Sequence, residues 1–187
     1  MKKLNFGCGK DYRVGWINLD INKNVKADIY ADAEKKLDLD DNSFDLIILR
    51  HVIEHIHPEK FNFLLKELHR ISKPNGRIKI WSPHFSCGIT YREISHYTPI
   101  SYFTIQDSEL FQVIEKRFHF FRRSFPYNNR FAQIITRILN PLLSFFPNLS
   151  PLFYERFFCW LFPVEEIYFD LKVNKKLNNG NYYGKGI

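Results

Sequence analysis

At 187 residues, 45% of them apolar, the chain is long enough to bury a core without disulfides or metal staples. Its three cysteines, Cys8, Cys87 and Cys159, are odd in number and far apart, which excludes a paired disulfide framework and a C-x-x-C knuckle and fits a reducing, cytoplasmic setting. The net charge of +7 falls mainly on residues 110–187 and suggests an acidic partner, such as a phosphorylated acceptor, nucleic acid or anionic lipid, although a solvated basic surface explains charge alone more simply.

Two lysines open the chain, but Asn5, Gly7 and Gly9 interrupt the apolar region behind them, so no cleaved export signal is expected. Leu4-Asn5-Phe6 reads as a strand ending in the tight Gly7-Cys8-Gly9, and Trp16-Ile17-Asn18-Leu19 as a second ending in Asp20. Ala27-Asp28-Ile29-Tyr30-Ala31-Asp32 is a third candidate, again closed by an acid. Residues 33–43 are charged and read as a helical turn and loop. Phe44-Asp45-Leu46-Ile47-Ile48-Leu49 is a near-continuous apolar run, the pattern of a central strand buried on both faces. Pro58 stands where a helix begins, and Phe61, Leu64, Leu65, Leu68 and Ile71 repeat at helical spacing. Lys73-Pro74-Asn75-Gly76 predicts a stop and reversal, after which Arg77-Ile78-Lys79-Ile80-Trp81 makes another strand. Such alternation predicts a Rossmann-like, doubly wound α/β fold.

The glycine loop lacks the third glycine of a dinucleotide fingerprint, and Asp20 follows Gly9 by eleven positions, which leaves room for a turn or two of helix. A site for a nucleoside without phosphates therefore fits better than a pyrophosphate cradle. Asp20, acceptor-only when ionised, suits ribose hydroxyls, and Asp32 an adenine amino group; either acid alone is equally a turn or capping residue.

These pieces, followed by His51-Val52-Ile53-Glu54-His55-Ile56 and Leu68-His69-Arg70-Ile71-Ser72-Lys73-Pro74-Asn75-Gly76, resemble the class I S-adenosylmethionine-dependent methyltransferases of the small, compact type. They occur in the family's order over residues 3–83. The resemblance implies that S-adenosylmethionine is the cofactor and that Phe6, Gly7, Cys8, Gly9, Asp20, Ile21, Asp32, Ala33, Arg50 and His51 contact it. It also implies a seven-stranded, mostly parallel sheet with an antiparallel last strand, in one domain over 1–187. Residues 1–83 would form its cofactor half and 84–187 its acceptor half.

In that acceptor half, residues 118–125 read as the sixth strand and 166–173 as the seventh. Residues 130–163 hold clustered apolar side chains broken by Pro141, Pro147, Pro151 and Pro163, and read as two or three short helices. No run approaches the ~20 apolar residues of a membrane span. The simplest expectation packs these helices against the sheet edge; the others place them over the acceptor side or on a membrane surface.

For a hydroxyl acceptor a base is needed, and histidine suits neutral pH. The candidates are His84, the first choice because it follows the fifth strand, then His51 and His96. Some relatives of the class carry a Glu-x-x-Glu-His pattern implicated in divalent metal binding, whereas this chain has His51-x-x-Glu54-His55. Histidine in the first place weakens the case for a hard cation, and no metal ligand is expected. The reading is transfer of a methyl group to a hydroxyl, before nitrogen or carbon, of a small sugar-like or lipid-linked metabolite. Nucleic acid is not expected, since the Asn/Asp-Pro-Pro-aromatic loop of base-flipping enzymes is missing, while peripheral membrane contact remains open. The alternatives are a non-catalytic cofactor-binding module that engages a protein or membrane through its aromatic helices, and, third, a dehydrogenase.

Overall fold

A computed structural model of the protein describes residues 1–123 and 129–175. Seven strands form one sheet: β1 (Lys3–Phe6), β2 (Ile17–Asp20), β3 (Ile29–Tyr30), β4 (Phe44–Arg50), β5 (Ser72–Pro83), β6 (Phe111–His119) and β7 (Glu166–Val173). Their order is β3-β2-β1-β4-β5-β7-β6, parallel from β3 to β5, with β7 antiparallel to both β5 and β6. The apolar run of β4 is the middle strand, with Phe44, Ile47, Ile48 and Leu49 buried.

The helical layer is thinner than a doubly wound fold implies. Between β1 and β4 every connection is a loop, and the first full crossover helix is α1 (Pro58–Ile71), between β4 and β5. Where a helix would cover β1 and β2, two strand asparagines stitch the 7–16 loop down. The Asn5 amide donates to the Asp11 carbonyl (2.6 Å) and to Asn18 Oδ1 (3.1 Å), and Asn18 pairs with both the amide and the carbonyl of Arg13. Polar side chains can be buried there because every donor finds an acceptor.

α1 begins with Pro58 at its first turn and buries Leu64, Leu68 and Ile71. Ser72 ends it, its hydroxyl donating to the Leu68 carbonyl at 2.6 Å. The expected reversal at Pro74-Asn75-Gly76 is instead a bulge inside β5: Phe44 pairs with Ser72 but Leu46 with Arg77, and Asn75 takes φ +60°. The sixth strand begins earlier than expected, at Phe111 rather than 118, and residues 124–125 of that expectation lie outside the described residues. Glu115, Lys116 and Arg117, charges that suit an edge strand, obscured its pattern.

The prolines do not divide the 130–163 region as expected. Helix α3 (Arg130–Leu149) runs through Pro141 and Pro147. It breaks at Ser150, and α4 (Pro151–Phe153) continues into one π-helical turn over Tyr154–Phe158. A short α2 (Gly88–Arg92) follows β5. Cys8, Cys87 and Cys159 are buried and unpaired. Among the described residues no helix is long and apolar enough to cross a membrane.

Candidate active site

The carboxyl ends of β1, β2, β3 and β4 open on a cavity of about 510 Å³, within the size range of small-ligand sites. All ten residues expected to contact the cofactor line it: Phe6, Gly7, Cys8, Gly9, Asp20, Ile21, Asp32, Ala33, Arg50 and His51.

The glycine loop is built for close approach. Gly7 and Gly9 adopt φ of +67° and +50°, and the Gly7 and Cys8 amides both donate to the Leu19 carbonyl, at 2.7 and 3.0 Å, folding the loop over β2. A Cβ on Gly7 would sit 2.4 Å from Val52 Cγ2, so both space and conformation demand glycine. Asp20 closes the loop from the other side: one oxygen accepts from the Gly9 amide (2.7 Å), the other from Asn22 (2.8 Å). At the end of β3, Asp32 accepts from the Glu34 amide at 2.9 Å, a bond that holds its carboxyl below the usual range.

Sequence reasoning missed the outer wall. Glu34 accepts from the His57 amide and faces the His57 ring nitrogen, both at 2.7 Å, and His57 stacks on Tyr97 at 4.0 Å. Tyr97 stands beside His96 in sequence, and its aromatic ring was the signal that could have found it. Its amide bonds the Glu54 carbonyl at 2.8 Å, which pins the 95–97 loop to the turn after β4.

The three histidines expected to act as bases separate in space. His51 follows β4 and lines the cavity with φ +55°, its Nδ1 3.4 Å from Glu54 Oε1 and its Nε2 3.3 Å from Glu166 Oε1. Burial alone would lower its pKa, but the hydrogen bonds to Glu166 and Glu54 overcome it and raise the value to about 9. Glu166, wholly buried, also bonds His119 Nδ1 at 3.1 Å, so an unbroken polar chain runs from the cavity to β6.

His84, the first choice from sequence, does not face this cavity. It is wholly buried, with Ser86 on Nδ1 at 2.8 Å and Glu155 on Nε2 at 3.1 Å, and Phe85, Phe118 and Tyr154 around its ring. The aromatic segment after α3, which closes over it, was not placed there by any local pattern in the sequence. His96 is also buried away from the cavity. Glu54, His55 and His96 bring one donor atom each within 4.8 Å of one another, and His96 Nδ1 has no hydrogen-bond partner among the described residues. A transition-metal ion would find imidazole nitrogen and carboxylate oxygen together there, but geometry alone assigns no metal ligand.

Beside α3 lie two adjoining cavities of about 390 and 310 Å³ that share Arg123 and Asn140. His119 and Arg117 line the first, Arg122 and Arg137 the second, and the arginines give this corner a cationic lining.

Residues 4–80 match the sequence family described as Methyltransferase domain. Over that stretch the chain is similar to methyltransferase domains. Fold likenesses extend further along it. A SAM-dependent methyltransferase from Archaeoglobus fulgidus is 19% identical over 91% of this chain and 85% of its own, with a TM-score of 0.57. One from Mesorhizobium loti is 13% identical over 91% of this chain and 90% of its own, TM-score 0.53. The 4+2 cyclase SpnF is 11% identical over 91% and 73%, TM-score 0.51. The last likeness shows that this fold hosts other reactions, so the fold alone names no activity, and the similarity to methyltransferase domains rests on residues 4–80. None of the curated proteins matches the sequence. Methyltransferase domains of this class take S-adenosylmethionine, and the cavity here suits that cofactor: a glycine cradle that a Cβ would fill, with a carboxylate at the end of β2 and another just after β3.

Proposed function

We propose that this protein is a methyltransferase acting on a hydroxyl of a small anionic acceptor, sugar-like or lipid-linked, with residues 1–187 working as one domain in the cytoplasm. When bound, S-adenosylmethionine supplies an electrophilic methyl group on a sulfonium. The protein has to position both partners, exclude water and take up the hydroxyl proton. Gly7 and Gly9 would face the methionine end, Asp20 the ribose hydroxyls, and Asp32 with Ala33 the adenine.

The observation that carries this reading is His51, the one histidine of the three base candidates that lines the cavity. Glu54 and Glu166 make it a strong base, cationic at neutral pH in the free protein. A second positive charge in the cavity favours its neutral form, in which the ring takes the hydroxyl proton while Glu166, shared with His119, balances the charge. The cavities lined by Arg117, Arg122, Arg123 and Arg137 support an anionic, phosphorylated acceptor.

Incubation with methyl-labelled cofactor and paired phosphorylated and unphosphorylated sugar acceptors tests both parts. His51→Ala is expected to keep its affinity for S-adenosylhomocysteine and to lose on the order of 10²-fold or more in turnover. Unchanged turnover removes His51 from the role. Cofactor binding with no methyl transfer to any small molecule of a cell extract would favour the non-catalytic binding module instead.

A further inference from the structure

Helix α3 is amphipathic the wrong way round for a helix that belongs to a core. Its buried residues are Asn140, Ser144 and Pro147, and the side chains of Asn140, Ser144 and Asn148 face the protein. Asn140 accepts from the Phe121 amide (3.2 Å) and donates to the Phe121 carbonyl (2.7 Å). Four residues on, Ser144 accepts from the Phe120 amide at 2.8 Å. After another four, Asn148 accepts from the Phe118 amide and donates to its carbonyl, both at 2.8 Å. These side chains satisfy the open edge that β6 and the residues after it would otherwise leave to solvent.

The opposite face is apolar and faces outward. Phe131, Ile134, Ile138, Leu142, Phe145 and Leu149, spaced three or four apart, are each 59–71% exposed. At about 1.5 Å per residue this stripe is roughly 30 Å long. Beyond the break at Ser150 it continues through Phe157, Trp160 and Leu161, all more than half exposed. Isolated exposed apolar residues need no explanation, but a continuous stripe of this length does.

We propose that this face is a docking surface for an anionic lipid bilayer, on which α3 lies in the plane of the headgroups. Charge selects the occupant. Residues 130–149 include Arg130 and Arg137 and no Asp or Glu, and Arg156 extends the exposed cations. Glu155, the one acid in residues 130–163, turns inward to His84, Ser101 and Tyr102. An outward apolar face bordered by exposed arginines and without a carboxylate complements acidic headgroups. A second copy on the same face would set arginines against arginines with no acid to pair them. The helix lies on the membrane rather than through it, since no helix among the described residues meets the length and hydropathy of a span. This docking does not depend on which acceptor the methyltransferase uses.

Flotation of the full-length protein with vesicles of phosphatidylglycerol and phosphatidylcholine, against phosphatidylcholine alone, tests it. The wild type is expected to float with the anionic vesicles and to bind the neutral ones on the order of ten-fold less. Ile138→Glu with Phe145→Glu, both at exposed positions, should abolish flotation while circular dichroism and S-adenosylhomocysteine affinity stay unchanged. Arg137→Glu should weaken flotation several-fold, and more strongly at low salt. Wild-type protein that stays unbound with anionic vesicles overturns the proposal, as does equal binding to both vesicle types. A concentration-dependent dimer that the paired glutamates dissociate, without flotation of the wild type, would assign the face to a second copy.

Discussion

His51 concentrates the chemistry of the site into one residue. Its pKa, raised to about 9, means that below its ordinary value near 6.5 the ring is protonated folded or unfolded, and the pairing with Glu54 and Glu166 contributes its full stability. That contribution, on the order of 3 kcal/mol, is lost as pH rises through about 9. The same cation bears on ligand binding. A sulfonium placed in the cavity is repelled by protonated His51, whereas S-adenosylhomocysteine, which lacks that charge, is not. Calorimetry across pH 7 to 10 should therefore show affinity for S-adenosylmethionine climbing on the order of ten-fold through about pH 9, with the affinity for S-adenosylhomocysteine nearly flat. His51→Gln should remove the difference. Parallel profiles for the two ligands would separate His51 from the sulfonium and with it from the hydroxyl.

His84 shows what happens between elements. It joins the end of β5 to the π-helical turn through Glu155, which also accepts from Ser101 Oγ (2.9 Å) and the Tyr102 amide (2.6 Å). Burial would raise the Glu155 pKa, but these bonds hold the carboxyl below its ordinary value, and burial keeps His84 low. His84→Ala leaves a mostly buried carboxylate short of a partner and should cost about 3 kcal/mol, read as a lowered melting temperature, with cofactor affinity retained. An unchanged melting temperature combined with lost turnover would return His84 to the chemistry.

The same contrast explains what the sequence made legible. Gly7, Gly9, Asp20 and Asp32 announce themselves because glycine conformation and strand-end acids are local signals, and β4 because a strand buried on both faces reads as one apolar run. The 7–16 loop was hidden because Asn5 and Asn18 do a helix's covering work with side-chain hydrogen bonds that carry no periodicity. His84 was misjudged because the residue that claims it, Glu155, lies 71 positions downstream. The apolar face of α3 was expected to pack inward, since a hydropathy pattern gives the width of a stripe and not the direction in which it points.

Across the whole molecule, stability should follow how each element is attached. β1, β4, β5 and β7 share the apolar core, where Phe44, Ile47, Ile78, Ile80 and Phe169 are wholly buried. α3 is held mainly by hydrogen bonds from Asn140, Ser144 and Asn148 to one edge, each worth only about 1 kcal/mol net. Local opening draws on the weakly attached elements first, because the free energy of opening a segment scales with the apolar contacts it forfeits. Hydrogen exchange read by mass spectrometry should therefore find the amides of β4 and β5 among the slowest, and those of α3 orders of magnitude faster in buffer. Adding phosphatidylglycerol vesicles should slow α3 selectively, leaving β4 and β5 as they were, because an occupied apolar face supplies the burial that the free helix lacks. Slow exchange in α3 without any vesicle would mean that its hydrogen bonds to the sheet edge suffice to hold it, and that the outward face is not needed for its stability.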